Sequence, residues 1–219
     1  MGVKIRSRLE RVCGEHRAVF IERRRLDADR TIGGFVLETN QDWTLMAPLT
    51  GLAPDGWIAL RTADVTEVSV KGERDVAMRW LKHKGTWPAQ PPSDGFPLTD
   101  ARSIIEAVSD RWGLVGLSHE ADDMDCLHIG AVERAAPKKV RLRELDAKTR
   151  WAVRATKLRY ADITRIDFND AYMTALGTLA EPAPGQLYRH RAVSGSTATV
   201  HVIAKGTGTH GSTGTADGR

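Results

Sequence analysis

The sequence is poor in features that mark several common classes of protein. It has only two cysteines, Cys13 and Cys126, in 219 residues, which is too few for a disulfide framework. It has no run of about eighteen apolar residues, the length that a membrane-spanning helix needs. Its first twenty residues lack the continuous apolar core of a signal peptide. We therefore expect a protein of the reducing cytoplasm that does not contact a membrane.

Motifs of the common catalytic sites are absent as well. The sequence has no Gly-x-Ser-x-Gly elbow and no Gly-x-x-x-x-Gly-Lys phosphate loop. These absences predict a protein that is not an enzyme and that carries no cofactor. The alternative is an enzyme with an unrecognised site, in which titratable groups converge in a cleft. Its candidate residues are Asp123, Asp125 and His119, set against Cys13 or His16.

Cysteine and histidine occur close together at two places, as Cys13-x-x-His16 and as Cys126-x-His128. They supply four potential zinc ligands, but neither spacing is that of a standard zinc finger. We therefore expect a buried thiol and surface imidazoles, and no metal site. The densest acidic cluster lacks the central glycine and the closing glutamate of a calcium loop. We expect it to be a solvated hairpin loop, and it consists of His119, Glu120, Asp122, Asp123 and Asp125.

The sequence aligns with itself at an offset of 96 residues. Positions 7–36 then lie over positions 103–132 without a gap, and eight of the thirty pairs are identical. Average composition gives about two identities in thirty pairs. The alignment continues with small gaps, pairing Leu45 with Leu142 and residues 63–68 with 161–166. We therefore predict an internal duplication, in which Gly34 is equivalent to Gly130 and Asp64 to Asp162.

Each half of the alignment has the pattern of one helix followed by five short strands. Apolar residues three or four positions apart predict the helices, and Thr99 or Asp100 is the expected N-cap of the second one. Alternating β-branched residues predict the strands. Their ranges are 19–21, 34–37, 45–49, 57–60 and 65–70 in the first half, and 115–117, 129–132, 140–145, 151–155 and 163–168 in the second. The predicted fold is mainly β with short helices, as two tandem five-stranded barrels or bent sheets, each opened by a helix.

Four segments make up the predicted organisation. The first repeat spans residues 1–81 and the second spans 99–181. Residues 82–98 contain four prolines and two glycines, a composition that favours an extended linker. Residues 182–219 are rich in glycine, threonine and serine, which is typical of a mostly disordered tail.

The order of these elements resembles that of the Sm-like small barrels. In the first half the resemblance rests on Gly34-Phe35-Val36 followed by Asp42-Trp43-Thr44-Leu45, and on Ile58-Ala59-Leu60-Arg61 followed by Val65-Thr66-Glu67-Val68. In the second half it rests on Gly130-Ala131-Val132, Val140-Arg141-Leu142 and Asp162-Ile163-Thr164-Arg165-Ile166. The family implies a helix-opened bent sheet that assembles into rings and binds single-stranded RNA. Its base-binding Arg-Gly pair is absent, because Thr62 follows Arg61 and Tyr160 follows Arg159, so that activity is not carried over.

Basic residues are concentrated in the second half. The net charge is +4, but residues 138–165 alone contain ten Lys or Arg against three Asp or Glu. Strand alternation places Arg141 and Arg143 on one face, and Trp151 and Tyr160 are interleaved aromatics of the kind that stack on single-stranded nucleic acid. The alternative is a solvated outer face with the aromatics in the core. The candidate binding residues are Lys138, Lys139, Arg141, Arg143, Arg150, Arg154, Lys157 and Arg159.

The leading hypothesis from the sequence is a cytoplasmic protein that binds a macromolecule. Another protein or a second copy of the chain is the expected partner, because open sheets expose edge strands that can pair. The two repeats can also satisfy one another's edges within the chain. Nucleic-acid binding by the basic residues of the second repeat is the alternative.

Overall fold

The structure, a computed structural model, describes residues 3–70, 75–121, 123 and 125–184. The first half of the chain begins with a helix, continues through six strands and ends with a helix. These are α1 (Val3–Gly14), β1 (Ala18–Arg23), β2 (Asp27–Thr39), β3 (Trp43–Thr50), β4 (Ala53–Pro54), β5 (Trp57–Arg61), β6 (Glu67–Ser69) and α2 (Asp75–Lys84). A single 3₁₀ turn, Thr62–Asp64, connects β5 to β6.

The second half follows the same plan with five strands. Its elements are α3 (Ala101–Trp112), β7 (Leu114–Ser118), β8 (Leu127–Ala135), β9 (Lys139–Glu144), β10 (Thr156–Arg159), β11 (Arg165–Phe168) and α4 (Ala171–Leu179). The predicted N-cap of α3 is confirmed, because the Asp100 carboxylate accepts the backbone N–H of Ser103 at 3.0 Å. The helix ends at Gly113, whose φ of 79° suits glycine.

All the strands in the described residues belong to one open antiparallel sheet. The order across it is β10-β9-β8-β7-β11-β5-β3-β2-β1-β6, with the short β4 paired to β3. Within each half the strand that comes last in the chain pairs with the strand that comes first, β6 with β1 and β11 with β7. The halves meet where β5 pairs with β11, a pairing that we call the joint.

The two halves also share their strand registers. Val19 faces Gly34, which faces Pro48, and at an offset of 96 Val115 faces Gly130, which faces Glu144. The register shifts by one residue at the same place, between Val36 and Glu38 in β2 and between Val132 and Arg134 in β8. For the last strand the offset is 98, since Ile21 faces Val68 and Leu117 faces Ile166.

Gly34 and Gly130 lie in matching close contacts between strands. A Cβ on Gly34 would lie 2.8 Å from the Pro48 Cα, and a Cβ on Gly130 would lie 2.9 Å from the Glu144 Cα. Each would also overlap the carbonyl of the preceding residue, Ala47 or Arg143. Only glycine lets the second and third strands of each half approach this closely.

The apolar core has one part that belongs to the first half alone and one part that is shared. Helix α1 packs on β1, β2, β3, β5 and β6, burying Leu9, Val12, Ile21 and Val68 among others. The shared part centres on α3 and the strands of the second half, and it includes Trp43, Leu45 and Ala59 from the first half. Phe96 and Leu98, from the predicted linker, are buried there too. The first-half side chains beside the joint therefore belong to the core of the second half.

Three expectations from the sequence were wrong in detail. The strands form one open sheet, so the closed-barrel alternative does not hold. The predicted strand 151–155 lies instead at Thr156–Arg159, because Arg143 uses the carbonyls of Ala152 and Val153 as acceptors in place of a neighbouring strand. By their strand registers, Leu45 of the first half corresponds to Arg141 of the second, and Met46 corresponds to Leu142. The offset between the halves is therefore 96 at this place, and not the predicted 97. Helices α2 and α4, which close the two halves, were not predicted as helices.

Candidate functional site

The joint carries more than the backbone pairing of β5 with β11. The Arg61 side chain, at the end of β5, reaches across and donates to the carbonyls of Ile163 at 2.5 Å, Tyr160 at 2.6 Å and Ala161 at 3.1 Å. Its guanidinium also lies over the Trp43 ring, 5.4 Å from the centroid. A single arginine thus binds the backbone between β10 and β11 to the outer surface of the first half.

A buried ion pair ties the halves together at a second place. Arg23, at the end of β1, makes a bidentate contact with Glu120, which follows β7, with both N···O distances at 2.5 Å. Thr164 donates to the same carboxylate at 2.7 Å, and both charged side chains are only 3% exposed. Burial alone would raise the pKa of Glu120, but Arg23 and Thr164 outweigh it and hold that pKa below its usual range. The expected solvated loop is therefore wrong for Glu120.

The sequence does not predict that Arg23 and Glu120 form a pair. Four strands separate β1 from β7 in the sheet order, so the contact requires the sheet to curl until these positions meet. A three-arginine run, Arg23-Arg24-Arg25, looks like a solvated hairpin in sequence. Only its first member faces inward, while Arg24 is exposed and pairs with Glu22 and Glu67.

The outer face of the first half is apolar where the joint covers it. Trp43 and Leu45 on β3 and Ala59 on β5 are at most 3% exposed, and they pack against the second core. Trp43 faces Arg61 and Leu45 faces Ala59 across the β3–β5 pair. In the matching register of the second half, Lys139 faces Arg159 and Arg141 faces Lys157 across the β9–β10 pair.

The corresponding face of the second half is therefore basic and exposed. Lys139, Arg141 and Lys157 occupy the positions that Trp43, Leu45 and Ala59 hold in the first half, and all three are exposed. Arg134 on β8 faces Arg141, which adds a residue that the sequence did not single out. We call this surface the basic face; it consists of Arg134, Lys139, Arg141, Lys157 and Arg159.

The basic face is incompletely neutralised. Arg159 pairs with Asp162 at 2.6 Å, and the nearest carboxylate oxygen to Arg141 is on Glu133 at 3.7 Å. Among the described residues, no carboxylate lies within 4.0 Å of the cationic nitrogens of Arg134, Lys139 or Lys157. Like charges directly opposite on neighbouring strands are unfavourable. An anion bound over these cations would reduce the repulsion between them.

The remaining candidate residues lie away from this face. Arg143 alternates with Val140 and Leu142 as predicted, but it is half-buried and engaged with Glu133 and two carbonyls. Arg150 pairs with Asp146 in the turn after β9 at 2.8 Å, and Arg154 is exposed just before β10. Lys138 lies in the β8–β9 turn. Neither predicted aromatic is a free stacking platform, since Trp151 and Tyr160 pack against core clusters.

The equivalent aspartates have different surroundings. Asp64 is half-buried beside the joint, and burial raises its pKa despite the nearby Arg23 and Arg61 charges. Asp162 is partly exposed, and its hydrogen bonds from Arg159 lower its pKa. The contrast follows from the joint: Arg61 is drawn to backbone carbonyls across it, whereas Arg159 turns back onto its own aspartate.

The structure brings some of the potential metal ligands together and separates others. Cys126 and His128 lie beside His119, with ligand atoms within 4.8 Å of one another. Burial, followed by the charges of Asp123 and Glu144, raises the pKa of the Cys126 thiol. Cys13 instead donates to the Leu37 carbonyl at 3.1 Å, and His16 contacts the Trp87 ring. Neither belongs to the cluster, so the four residues of the two sequence spacings do not form one site.

Two of the residues named for an unrecognised catalytic site, Asp123 and Asp125, are exposed. Asp122 and most of the predicted tail, from residue 185 onward, lie outside the described residues. Among the described helices, none has the length and hydrophobicity to cross a membrane. Comparison of the chain with protein-family models, curated proteins and solved structures found no match in any of the three.

Proposed function

We propose that this chain is a non-enzymatic protein of two tandem Sm-like repeats that binds single-stranded nucleic acid through its basic face. The repeat arrangement is supported by the shared strand order, the matching registers and the equivalent glycine contacts at Gly34 and Gly130. A reducing cytoplasm as its location fits two cysteines that are both free.

One observation carries the binding proposal. At equivalent positions of the two halves, the apolar surface that forms the joint is replaced by lysine and arginine. Trp43, Leu45 and Ala59 must be apolar because they cover the second core. Their exposed counterparts, Lys139, Arg141 and Lys157, cover no core and so are not required to be apolar. Exposed cations at three such positions, with Arg134 and Arg159 beside them, suit binding to the phosphate backbone whatever the base sequence.

Removing three charges from the basic face is expected to weaken RNA binding. The variant is Lys139→Gln, Arg141→Gln and Lys157→Gln together, and the probe is a fluorescent single-stranded RNA of about 20 nucleotides in an anisotropy titration. We expect the dissociation constant to rise about 30-fold, which is about threefold for each cation that no longer neutralises a phosphate.

The matched control removes three charges from the same basic run outside the face. It carries Lys148→Gln, Arg150→Gln and Arg154→Gln, and its net charge equals that of the first variant. We expect its affinity to stay within about threefold of the wild type. Equal losses in the two variants would show that net charge alone governs binding and would refute a site on this face.

Self-association is the second function that the geometry supports. Among the described strands, the two ends of the sheet are β6, the last strand of the first half, and β10, the fourth main strand of the second. These are the counterparts of β11 and β5, which pair at the joint. A β10–β6 contact between two chains would repeat the joint head to tail and would lead to a ring or a filament.

A proline substitution at the open edge of β10 tests self-association without breaking a hydrogen bond that the fold needs. Tyr160 N–H donates to the Lys138 carbonyl, so alternation turns the N–H of Lys157 toward the open side. Lys157→Pro thus removes an N–H donor at the open edge, one that makes no hydrogen bond to β9. Lys157→Thr is the control that keeps this N–H. If the edges pair, light scattering will give a multiple of 24.1 kDa for the wild type and Lys157→Thr, and one chain for Lys157→Pro. A wild-type protein of one chain mass would exclude this function.

A further inference from the structure

The three side chains of the His119–Cys126–His128 cluster are positioned by one strand pair. His119 directly follows β7, and Cys126 directly precedes β8. Within the pair, Leu117 faces His128 and Ser118 faces Leu127, so the backbone that carries the cluster is held by the sheet on both sides. A site built on paired strands keeps its geometry better than one on a free loop.

The three ligand atoms lie within 4.8 Å of one another, and two of the three pairs are much closer. The Nε2 atoms of His119 and His128 are 2.9 Å apart, and the Cys126 Sγ is 3.2 Å from the His128 Nε2. The two ring planes differ by 12°, with centroids 5.0 Å apart. Because the centroid distance greatly exceeds the nitrogen distance, the rings meet through their Nε2 edges and not face to face.

A carboxylate faces the outer ring nitrogen of the central histidine, His128. The Glu144 Oε2 lies 3.2 Å from the His128 Nδ1, so the Nδ1–H donates a hydrogen bond to this carboxylate. The His128 Nε2 then presents its lone pair to the cluster. A carboxylate behind a ligating histidine is the usual second partner in zinc sites, where it fixes the ring and makes it a better ligand.

Hydrogen bonding alone does not account for this arrangement. The single lone pair of the His128 Nε2 can accept one good hydrogen bond, yet both the His119 Nε2 and the Cys126 Sγ are directed at it. A cation, by contrast, accepts a lone pair from each of the three atoms at once. Two imidazoles and a thiolate are ligands that zinc prefers, whereas calcium and magnesium select oxygen.

We propose that His119, Cys126 and His128 form a zinc-binding site, with a fourth position open to solvent. Ligands at about 2.0–2.1 Å (nitrogen) and 2.3 Å (sulfur) around a tetrahedral zinc lie about 3.3–3.6 Å apart. The His119–His128 and Cys126–His128 separations of 2.9 and 3.2 Å are a few tenths of an ångström shorter, and the His119 and Cys126 ligand atoms lie within 4.8 Å of each other. Small side-chain rotations therefore bring all three atoms onto one ion. All three side chains are partly exposed, which leaves room for the solvent ligand.

The site belongs to the second half alone. At the offset of 96, the first half has Arg23, Arg30 and Ile32 at the equivalent positions, and none of these is a metal ligand. The site also lies next to the joint, because Glu120 follows His119 directly. Zinc would therefore close the β7–β8 connection beside the buried ion pair. This inference stands on the cluster geometry and does not depend on nucleic-acid binding.

The test uses the full-length, tag-free chain, reduced and stripped of metal with a chelator. Calorimetric titration with Zn²⁺ is expected to show one ion per chain with a dissociation constant below micromolar. Titration with Co²⁺ is expected to give the sulfur-to-cobalt charge-transfer absorption of a thiolate ligand. Excess Mg²⁺ or Ca²⁺ is expected not to compete.

The two cysteines provide a matched pair of variants. Cys126→Ser is expected to abolish the charge-transfer band and to weaken Zn²⁺ binding more than 100-fold, whereas Cys13→Ser keeps both. Glu144→Gln, which alters only the outer partner, is expected to weaken binding about 10- to 100-fold. Circular dichroism of the stripped variants shows that each is folded before titration. Equal Zn²⁺ affinity in Cys126→Ser and Cys13→Ser, or no binding tighter than millimolar in the wild type, would overturn the site.

Discussion

Replacing Gly130 with alanine is expected to lower the free energy of unfolding by about 3 kcal/mol or more, at the upper end of what overpacking costs. The added Cβ would overlap the Arg143 carbonyl and approach the Glu144 Cα to 2.9 Å. Both obstacles are backbone atoms, so relief requires β8 and β9 to separate. That separation would break the pairing that carries the basic face. Urea unfolding followed by circular dichroism measures the loss.

Gly34 and Gly14 serve as the matched controls for this substitution. Gly34→Ala meets the Ala47 carbonyl and the Pro48 Cα in the same way, so its cost should equal that of Gly130→Ala within about 1 kcal/mol. Gly14 ends α1 and has no heavy atom within 4 Å of an added Cβ. Gly14→Ala is expected to be neutral or to stabilise by about 0.5 kcal/mol. Unequal effects at Gly34 and Gly130 would argue against equivalent halves.

Glu120→Gln is expected to destabilise the protein by about 3–5 kcal/mol, the cost of leaving one member of a buried ion pair without its partner. The substitution keeps the shape of the side chain but removes the charge that balances Arg23, which is 3% exposed. Replacing Arg23 and Glu120 together by apolar residues, as Arg23→Met and Glu120→Leu, is the control. We expect the double variant to recover most of the loss, because no buried charge is left unpaired.

The same pair makes stability depend on acid pH. The pKa of Glu120 is lowered in the folded protein, so its contribution is complete above its unfolded pKa of about 4.3. The contribution is lost as the pH falls through the folded pKa. Asp64, whose pKa is raised by burial, acts in the opposite sense and loses its contribution as the pH rises. Unfolding of the wild type and of Glu120→Gln at several pH values should therefore converge toward low pH.

Local patterns were enough to predict much of the fold. Nine of the ten predicted strands overlap observed ones, because alternation of apolar residues depends on nearest neighbours only. Sequence spacing predicts that Gly34 and Gly130 are equivalent, and their matching contacts explain why both positions need glycine. The strand that was misplaced, 151–155, is held by the Arg143 side chain from another strand. Alternation within a segment carries no information about such a contact.

The candidate sites were harder to predict because they depend on curvature and register. Nothing in the sequence near Arg23 indicates that it is buried against Glu120, 97 residues away. The sequence predicts a solvated loop for His119 and groups Cys126-x-His128 with the distant Cys13, because spacing along the chain is the only measure of distance that it offers. The basic face became visible only when the register put Lys157 opposite Arg141 and Arg134 beside them. The sequence signal that indicates the basic face is the positive charge at Lys139, Arg141 and Lys157, the positions equivalent to Trp43, Leu45 and Ala59.

The salt dependence of RNA binding tests the central claim most directly. For single strands, the slope of log affinity against log salt concentration is about −0.7 for each phosphate contact. If the basic face holds the RNA, the Lys139, Arg141 and Lys157 triple variant will have a slope about 2 units shallower than the wild type, and the Lys148, Arg150 and Arg154 variant will keep the wild-type slope. A wild-type protein that shows no salt-dependent RNA binding, or equal slopes in all three proteins, would contradict the account.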